Sequence, residues 1–243
     1  MSSGPAKAGK ASAEAIIEQL RKLESPKDKE GMARYGIKTD KAFGVSLYVL
    51  RDMAKGIGTD HELALALWDT GIHEAQLLAG IVDDPAQVTE EQMDRWVGDF
   101  DSWDICDQGC SNLFDRTPFA YDKAFEWADD EREFVRRAGF VMMAALAVHD
   151  KNAGDEAFEQ FYPVMKKYAT DDRNFVRKAV NWALRNIGKR NLTLNESAIR
   201  TAREIQAIDS KAARWIAADA LRELQGEKVQ KRLIEKGSKA KKR

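Results

Sequence analysis

The chain has little of what would place it in several common classes. Cysteine occurs twice in 243 residues, which excludes a disulfide framework and makes a reducing compartment the default expectation. Cys106 and Cys110 stand at helical i, i+4 spacing, where a regular helix makes no disulfide and two thiols without nearby histidines make a poor metal site; both read as core. The three histidines, His61, His73 and His149, are dispersed and show no metal-ligand spacing. Proline is scarce, at five, and β-branched runs bounded by turn residues are missing, which argues against a sheet-built fold. The longest apolar run, "AGFVMMAALAV" from Ala138 to Val148, is far short of a membrane span. The opening "MSSGPAKAGKASAEA" has no apolar centre of the kind a secretory signal needs.

What is present is helix-forming and charged. Ala, Leu, Glu, Lys and Arg recur at helical spacing almost throughout, so the chain reads as all-α. With 44% hydrophobic and 33% charged residues, it can bury a sizeable core and remain soluble. The net charge of -1 conceals a division: residues 1–129 carry -10 and residues 130–243 carry +9. A basic half is compatible with a polyanionic partner, although such asymmetry alone more often reflects solvation.

The second half repeats itself. "DEREFVRRAGFVMMAAL" (Asp130 to Leu146) and "DDRNFVRKAVNWALR" (Asp171 to Arg185) align at a period of 41, pairing Phe134 with Phe175, Arg136 with Arg177 and Arg137 with Lys178. A weaker copy, "DSKAARWIAADAL", follows, with Ala217 answering Ala179 after 38 residues. Periods near 40 with one helical pair per repeat indicate a HEAT-like α-solenoid of stacked antiparallel helical pairs, in which the second helices line one concave surface. That surface would carry Trp103 and Asp107, then Arg136 and Arg137, then Arg177, Lys178 and Trp182, then Arg214. The reading places one repeat domain over 12–235, a disordered segment over 1–11 and a basic flexible tail over 236–243. Trp68, Trp96, Trp127 and Trp215 are expected in the core, and Asp171 and Asp172 at the start of the helix that follows them.

Within "FDSWDICDQGCSNLF", Trp103 and Asp107 are four residues apart, so a helix puts indole and carboxylate on one face with Asp104 on a neighbouring one. Two readings of Asp107 stay open from the residues alone: a placed functional carboxylate, or an ion-pair partner of Arg137 in the next repeat.

"SWDICD", "FVRRA" and "KAVNWALR" on such a chain resemble the AlkD-like DNA alkylation repair family, HEAT-like DNA glycosylases that remove N3- and N7-alkylated purines. The resemblance runs from about Tyr35 to Leu224 and includes "YGIKTDKAFGVSLYVLRDMAK", where a Gly-containing turn leads to Leu50 and Arg51. It implies that Asp107 is the catalytic carboxylate. Trp103 and Trp182 would be aromatic walls and Arg137 a basic substrate-binding residue that, together with Arg136, Arg177, Lys178, Arg185 and Arg214, would hold the phosphates of the DNA backbone. Ser102 stands where many members carry a second tryptophan, and Phe134 and Val135 lie where an aromatic is frequent; both bear on substrate range. The resemblance further implies double-stranded DNA with alkylated bases as partner and no insertion of the base into a deep pocket. A monomer in a bacterial cytoplasm, at the nucleoid when bound, with no cofactor, metal or membrane contact, completes the expectation. The competing reading is a noncatalytic HEAT-like module that binds DNA or protein through the same face. A protein-scaffold solenoid would call for an apolar or acidic face, which the arginines oppose.

Overall fold

The computed structural model describes residues 12–240; the expectations for residues 1–11 and 241–243 lie outside them. Among the described residues every regular element is helical, as the composition requires, and none is long and apolar enough to cross a membrane. The helices fall into two compact units, the first ending at Val88 and the second starting at Thr89, where the sequence suggested one domain over 12–235. Repeat stacks touch mainly their nearest neighbours, so such a division needs no change of composition and leaves no mark in the sequence.

The first unit holds α1 (Ala13–Lys22), α2 (Pro26–Arg34), α3 (Leu47–Ile57), α4 (His61–Asp69) and α5 (His73–Val82). Ser12, Ser25 and Asp60 cap α1, α2 and α4 through their side chains, each satisfying a backbone N–H that the first turn leaves open. Glu74 is fully buried, and its carboxylate accepts hydrogen bonds from the N–H groups of Phe43, Gly44 and Val45. This anchors the turn ahead of α3. Gly44 sits there at φ +80, and a Cβ would stand 2.5 Å from the Ser25 carbonyl oxygen, which explains the glycine.

The second unit contains α6 (Glu90–Gly98), α7 (Trp103–Asn112), a 3-10 turn (Phe114–Arg116), α8 (Ala120–Asp129) and α9 (Glu133–His149). It continues with α10 (Glu156–Glu159), α11 (Tyr162–Tyr168), α12 (Asn174–Gly188), α13 (Leu192–Gln206), α14 (Lys211–Leu224) and α15 (Glu227–Ala240). Helices α7, α9, α12 and α14 pack in succession as one row, and α8, α11 and α13 back them as a second. This is the HEAT-like arrangement of paired helices. The long apolar run is α9, buried at every position from Ala138 to Ala147; a helix that is apolar all round must be enclosed, and α7, α8 and α12 enclose it.

Gly139 lets α8 approach α9. A Cβ there would lie 2.3 Å from the Ala128 nitrogen and 2.9 Å from the Ala124 carbonyl oxygen, both backbone atoms that cannot give way. Gly139→Ala is therefore expected to cost about 1–3 kcal/mol or more from overpacking, read as a lower Tm. Gly56→Ala in α3, with nothing within 4 Å of its Cβ, should instead stabilise by about 0.5–1 kcal/mol. Equal shifts at the two positions would refute the packing argument.

The period of 41 is a structural repeat. The Phe134 and Phe175 rings meet at a tilt of 34° with centroids 5.5 Å apart. Asp130 and Asp171 each hold the backbone N–H and guanidinium of the arginine two residues on, Arg132 and Arg173. Asp171 thus braces the approach to α12 instead of capping it; the residue preceding that helix is Arg173, and its side chain makes no cap. Trp68, Trp96 and Trp127 are buried, as are both free cysteines. Trp215 corrects the core expectation: it is 38% exposed, because α14 buries Ala212, Ala213, Ile216, Ala217, Ala220 and Leu224 and position 215 falls off that stripe. Residues 236–240 of the expected tail continue α15. Leu233 is buried and the Lys236 ammonium donates to the Arg190 carbonyl at 2.7 Å, which ties that helix down.

Candidate active site

Helix α7 begins at Trp103, with Ser102 at the preceding position and Asp104 in the first turn, where its carboxylate accepts from the Ile105 N–H at 3.0 Å. Ile105, Cys106, Gly109 and Cys110 form the buried stripe, so Trp103 and Asp107 fall on the partly open side, one turn apart as the spacing required. Trp103, Asp104 and Asp107 are half-buried.

Asp107 and Arg137 are joined. The Arg137 Nε and Nη2 donate to the two Asp107 oxygens at 2.9 and 2.8 Å, and Nη1 donates to the Phe175 carbonyl at 2.7 Å. One guanidinium on α9 therefore locks a carboxylate on α7 and the first turn of α12. Side-chain exposure is 7% for Arg137 and 13% for Asp107, so the arginine is enclosed and the carboxylate keeps a narrow opening. Burial pushes the Asp107 carboxyl above its ordinary value, against the pull of Arg137, and the Asp104 charge adds to the rise. Burial works against the charge of Arg137 too, yet Asp107 overrides it and holds the guanidinium's pKa above the usual value. A two-pronged fork of this kind fits a carboxylate that accepts twice.

A family model described as DNA alkylation repair enzyme matches residues 16–224. The chain belongs to that family. A solved structure described as "a new family of proteins related to the HEAT-like repeat DNA glycosylases with affinity for branched DNA structures" superimposes with a TM-score of 0.72 at 22% identity, covering 86% of this chain and 94% of that one. At that identity the likeness speaks to the fold. A designed armadillo repeat protein bound to a (KR)4 peptide aligns over 90% of this chain and 87% of its own at 15% identity, but its TM-score of 0.37 carries no argument. The search of curated proteins found no match.

Membership in a DNA alkylation repair family gives the residues of the second unit a context in DNA repair, and each of the expected residues has definite surroundings in the structure. Arg137 spends three of its five N–H donors on Asp107 and the Phe175 carbonyl, and its side chain is only 7% exposed, so it does not face solvent as a phosphate contact would. Arg136 is likewise committed: Nη1 bonds Asp171 at 2.8 Å and the guanidinium lies 4.3 Å from the Tyr168 ring centroid. Arg185 is neutralised by Asp219 and Glu223 on α14. Arg177 bonds Asn174 and covers the Trp215 ring at 5.1 Å. Lys178 is exposed, and Arg214 is half-exposed beside the fully exposed Asp209, so these two are the expected backbone contacts that face solvent. Trp182 is half-buried on α12, seven residues and about two turns beyond Phe175 and so on the same side of the helix.

Sequence reasoning did not find the Phe175 carbonyl, the third group that holds Arg137, because a main-chain acceptor leaves no residue-type signal. The pairing of Phe134 with Phe175 at the 41-residue period was the one available hint. Nor does the sequence show that Cys106 and Cys110 point their thiols at the Phe134 and Ala138 carbonyls, at 3.7 and 3.8 Å, which fixes α7 against the turn of α9 that carries Arg137.

Proposed function

We propose that this chain is a monofunctional DNA glycosylase that hydrolyses the N-glycosidic bond of N3- or N7-alkylated purines in duplex DNA. The observation that carries the reading is a carboxylate, Asp107, gripped by a buried arginine and keeping a narrow opening one turn from Trp103. A carboxylate has about four acceptor directions, and the Arg137 fork uses one on each oxygen. The remaining lone pairs are available for a water or for a developing positive charge.

An alkylated purine is already cationic, so its departure needs no strong acid. The C1′–N bond breaks with its electron pair going to the base, which leaves neutral. A water oxygen bonds C1′, and the proton it loses passes to Asp107 and on to solvent. Asp107 faces the oxocarbenium-like charge in the transition state, as an acidic residue does in glycoside hydrolysis. Arg137 touches neither sugar nor base in this scheme; it positions the carboxylate. Trp103 and Trp182 supply apolar and cation-π contact to the sugar and cationic base, and Lys178 and Arg214 meet phosphates.

A noncatalytic reading has one observation in its favour. Arg137 meets both Asp107 oxygens and offsets part of the charge, which suits a structural ion pair in a binding module, and the structurally similar protein is described by its affinity for branched DNA. The two readings separate in a single-turnover assay of free base from a duplex with one N7-methylguanine, run beside affinity measurements on plain and four-way branched DNA. Release of base supports the glycosylase. No release across small and bulky lesions, with branched DNA bound more tightly than duplex, overturns it in favour of the binding module.

A further inference from the structure

Away from Asp107, at the other end of α9 and α12, a cavity of about 570 Å³ is lined by Lys151, Lys189, Arg190, Arg232 and Lys236, with Asp155 as the acid among its lining residues. An adjoining cavity of about 410 Å³ shares Lys189 and Arg232 and adds Arg222 and Lys228. None of these side chains belongs to the site already described. The cations converge on helix C-termini: Lys151 donates to the Val148 carbonyl, Arg190 to those of Ala147, Asp150 and Ala153, and Lys236 to that of Arg190.

Helix ends explain part of this, since each carries roughly half a negative charge that attracts cations. Two such ends balance about one unit of charge, whereas five cations line the first cavity. Asp155 keeps its charge while it accepts from the Asn191 amide, Asp150 acts on Arg190, and Glu223 is shared by Lys189 and Arg185, so after these carboxylates and the helix ends about one positive charge of the five is left in excess. The crowding registers on Lys236, whose pKa falls below the ordinary value through burial and through Arg190, Lys151 and Arg232. Lysine has three N–H donors, and Lys151 and Lys236 each spend one on a carbonyl. The cavity thus offers unspent donors and unbalanced charge, which an anion would relieve.

We propose that this cavity is a second phosphate-binding site, occupied by the phosphodiester backbone of bound DNA. The inference rests on the DNA-binding part of the proposed function but not on catalysis. The end of α9 is twelve residues beyond Arg137, roughly 18 Å at helical rise, so the phosphate held there is not one flanking the base facing Asp107. It would add grip remote from the lesion.

The test uses the full chain, a 25-base-pair duplex and fluorescence anisotropy over a salt series, with Lys151→Gln/Arg232→Gln against the wild type and a charge-keeping Lys151→Arg/Arg232→Lys control. Both positions are exposed, and an unchanged Tm would show the fold intact. The neutral variant is expected to bind about tenfold more weakly, with the slope of log K against log salt shallower by one to two and the control near wild type. Wild-type affinity and slope in the neutral variant would overturn the inference while leaving the proposed function standing. Absence of DNA binding by the wild type would instead remove both. Saturable binding of inorganic phosphate or a mononucleotide, lost in the neutral variant while DNA affinity is unchanged, would assign the cavity to a small anion and also overturn it.

Discussion

Asp107→Asn should abolish most base excision, by on the order of a thousandfold in single turnover, while affinity for duplex DNA stays within about twofold. At an effective dielectric of about 20, a carboxylate about 4 Å from the sugar stabilises a unit positive charge by about 4 kcal/mol. Arg137 stands directly behind it, and a guanidinium about 8 Å from the same charge takes back about 2 kcal/mol. The remainder, about 2 kcal/mol, is some thirtyfold in rate. Loss of a group that accepts a proton from attacking water adds about a hundredfold or more. Asparagine keeps the shape of the side chain and can still accept from one prong of Arg137, so binding is little changed. Excision undiminished in this variant would exclude the mechanism whatever the lesion.

Arg137→Ala is expected to affect stability as much as chemistry. Removing one member of a buried pair leaves the other uncompensated, typically at about 3–5 kcal/mol, and here the Phe175 carbonyl also loses its donor. The Asp107 carboxyl loses both contributions that lower its pKa, its charge interaction and its hydrogen bond with Arg137, and keeps burial and Asp104, which raise it. The folded carboxyl then holds its proton at a pH where the unfolded one has released it. Stability of the variant should therefore fall as pH rises through the folded value and recover on mild acidification. Excision needs the ionised form, so the acid limb of its pH profile should move to higher pH. Thermal melts from pH 5 to 8 and a pH–rate profile check both.

A second variant separates lost chemistry from simple misfolding. Asp107→Leu/Arg137→Met removes both charges together, and paired apolar replacement of a buried ion pair is often neutral or stabilising. It should melt well above Arg137→Ala and excise nothing. An Arg137→Ala protein with wild-type Tm and pH profile but weakened, less salt-sensitive DNA binding would return Arg137 to the phosphates and contradict its positioning role.

Much of the fold could be read from residue patterns. The absence of β-branched runs, the scarcity of proline and the 41-residue period led to stacked helical pairs, because helical spacing and repeat length are local properties of a sequence. The one-turn spacing of Trp103 and Asp107 was equally legible. Those same patterns failed where a neighbour decides the outcome. Arg136 and Arg177 occupy equivalent positions, but one meets Asp171 and Tyr168 and the other Asn174 and Trp215. Arg137 and Lys178 are equivalent too, yet one is buried against Asp107 and the other exposed.

The sequence by itself determined the helical class, the repeat and the residue types available for chemistry. Only the tertiary structure decided which charges meet. A cation looks the same in a sequence whether it will face solvent, a carbonyl or a carboxylate, and the choice depends on approach within about 3 Å between helices whose residues lie some thirty positions apart, as with Asp107 and Arg137. That is why the sequence could not show that Arg137 meets Asp107 and the Phe175 carbonyl, or that cations gather in a cavity at the ends of α9 and α12 beside α15.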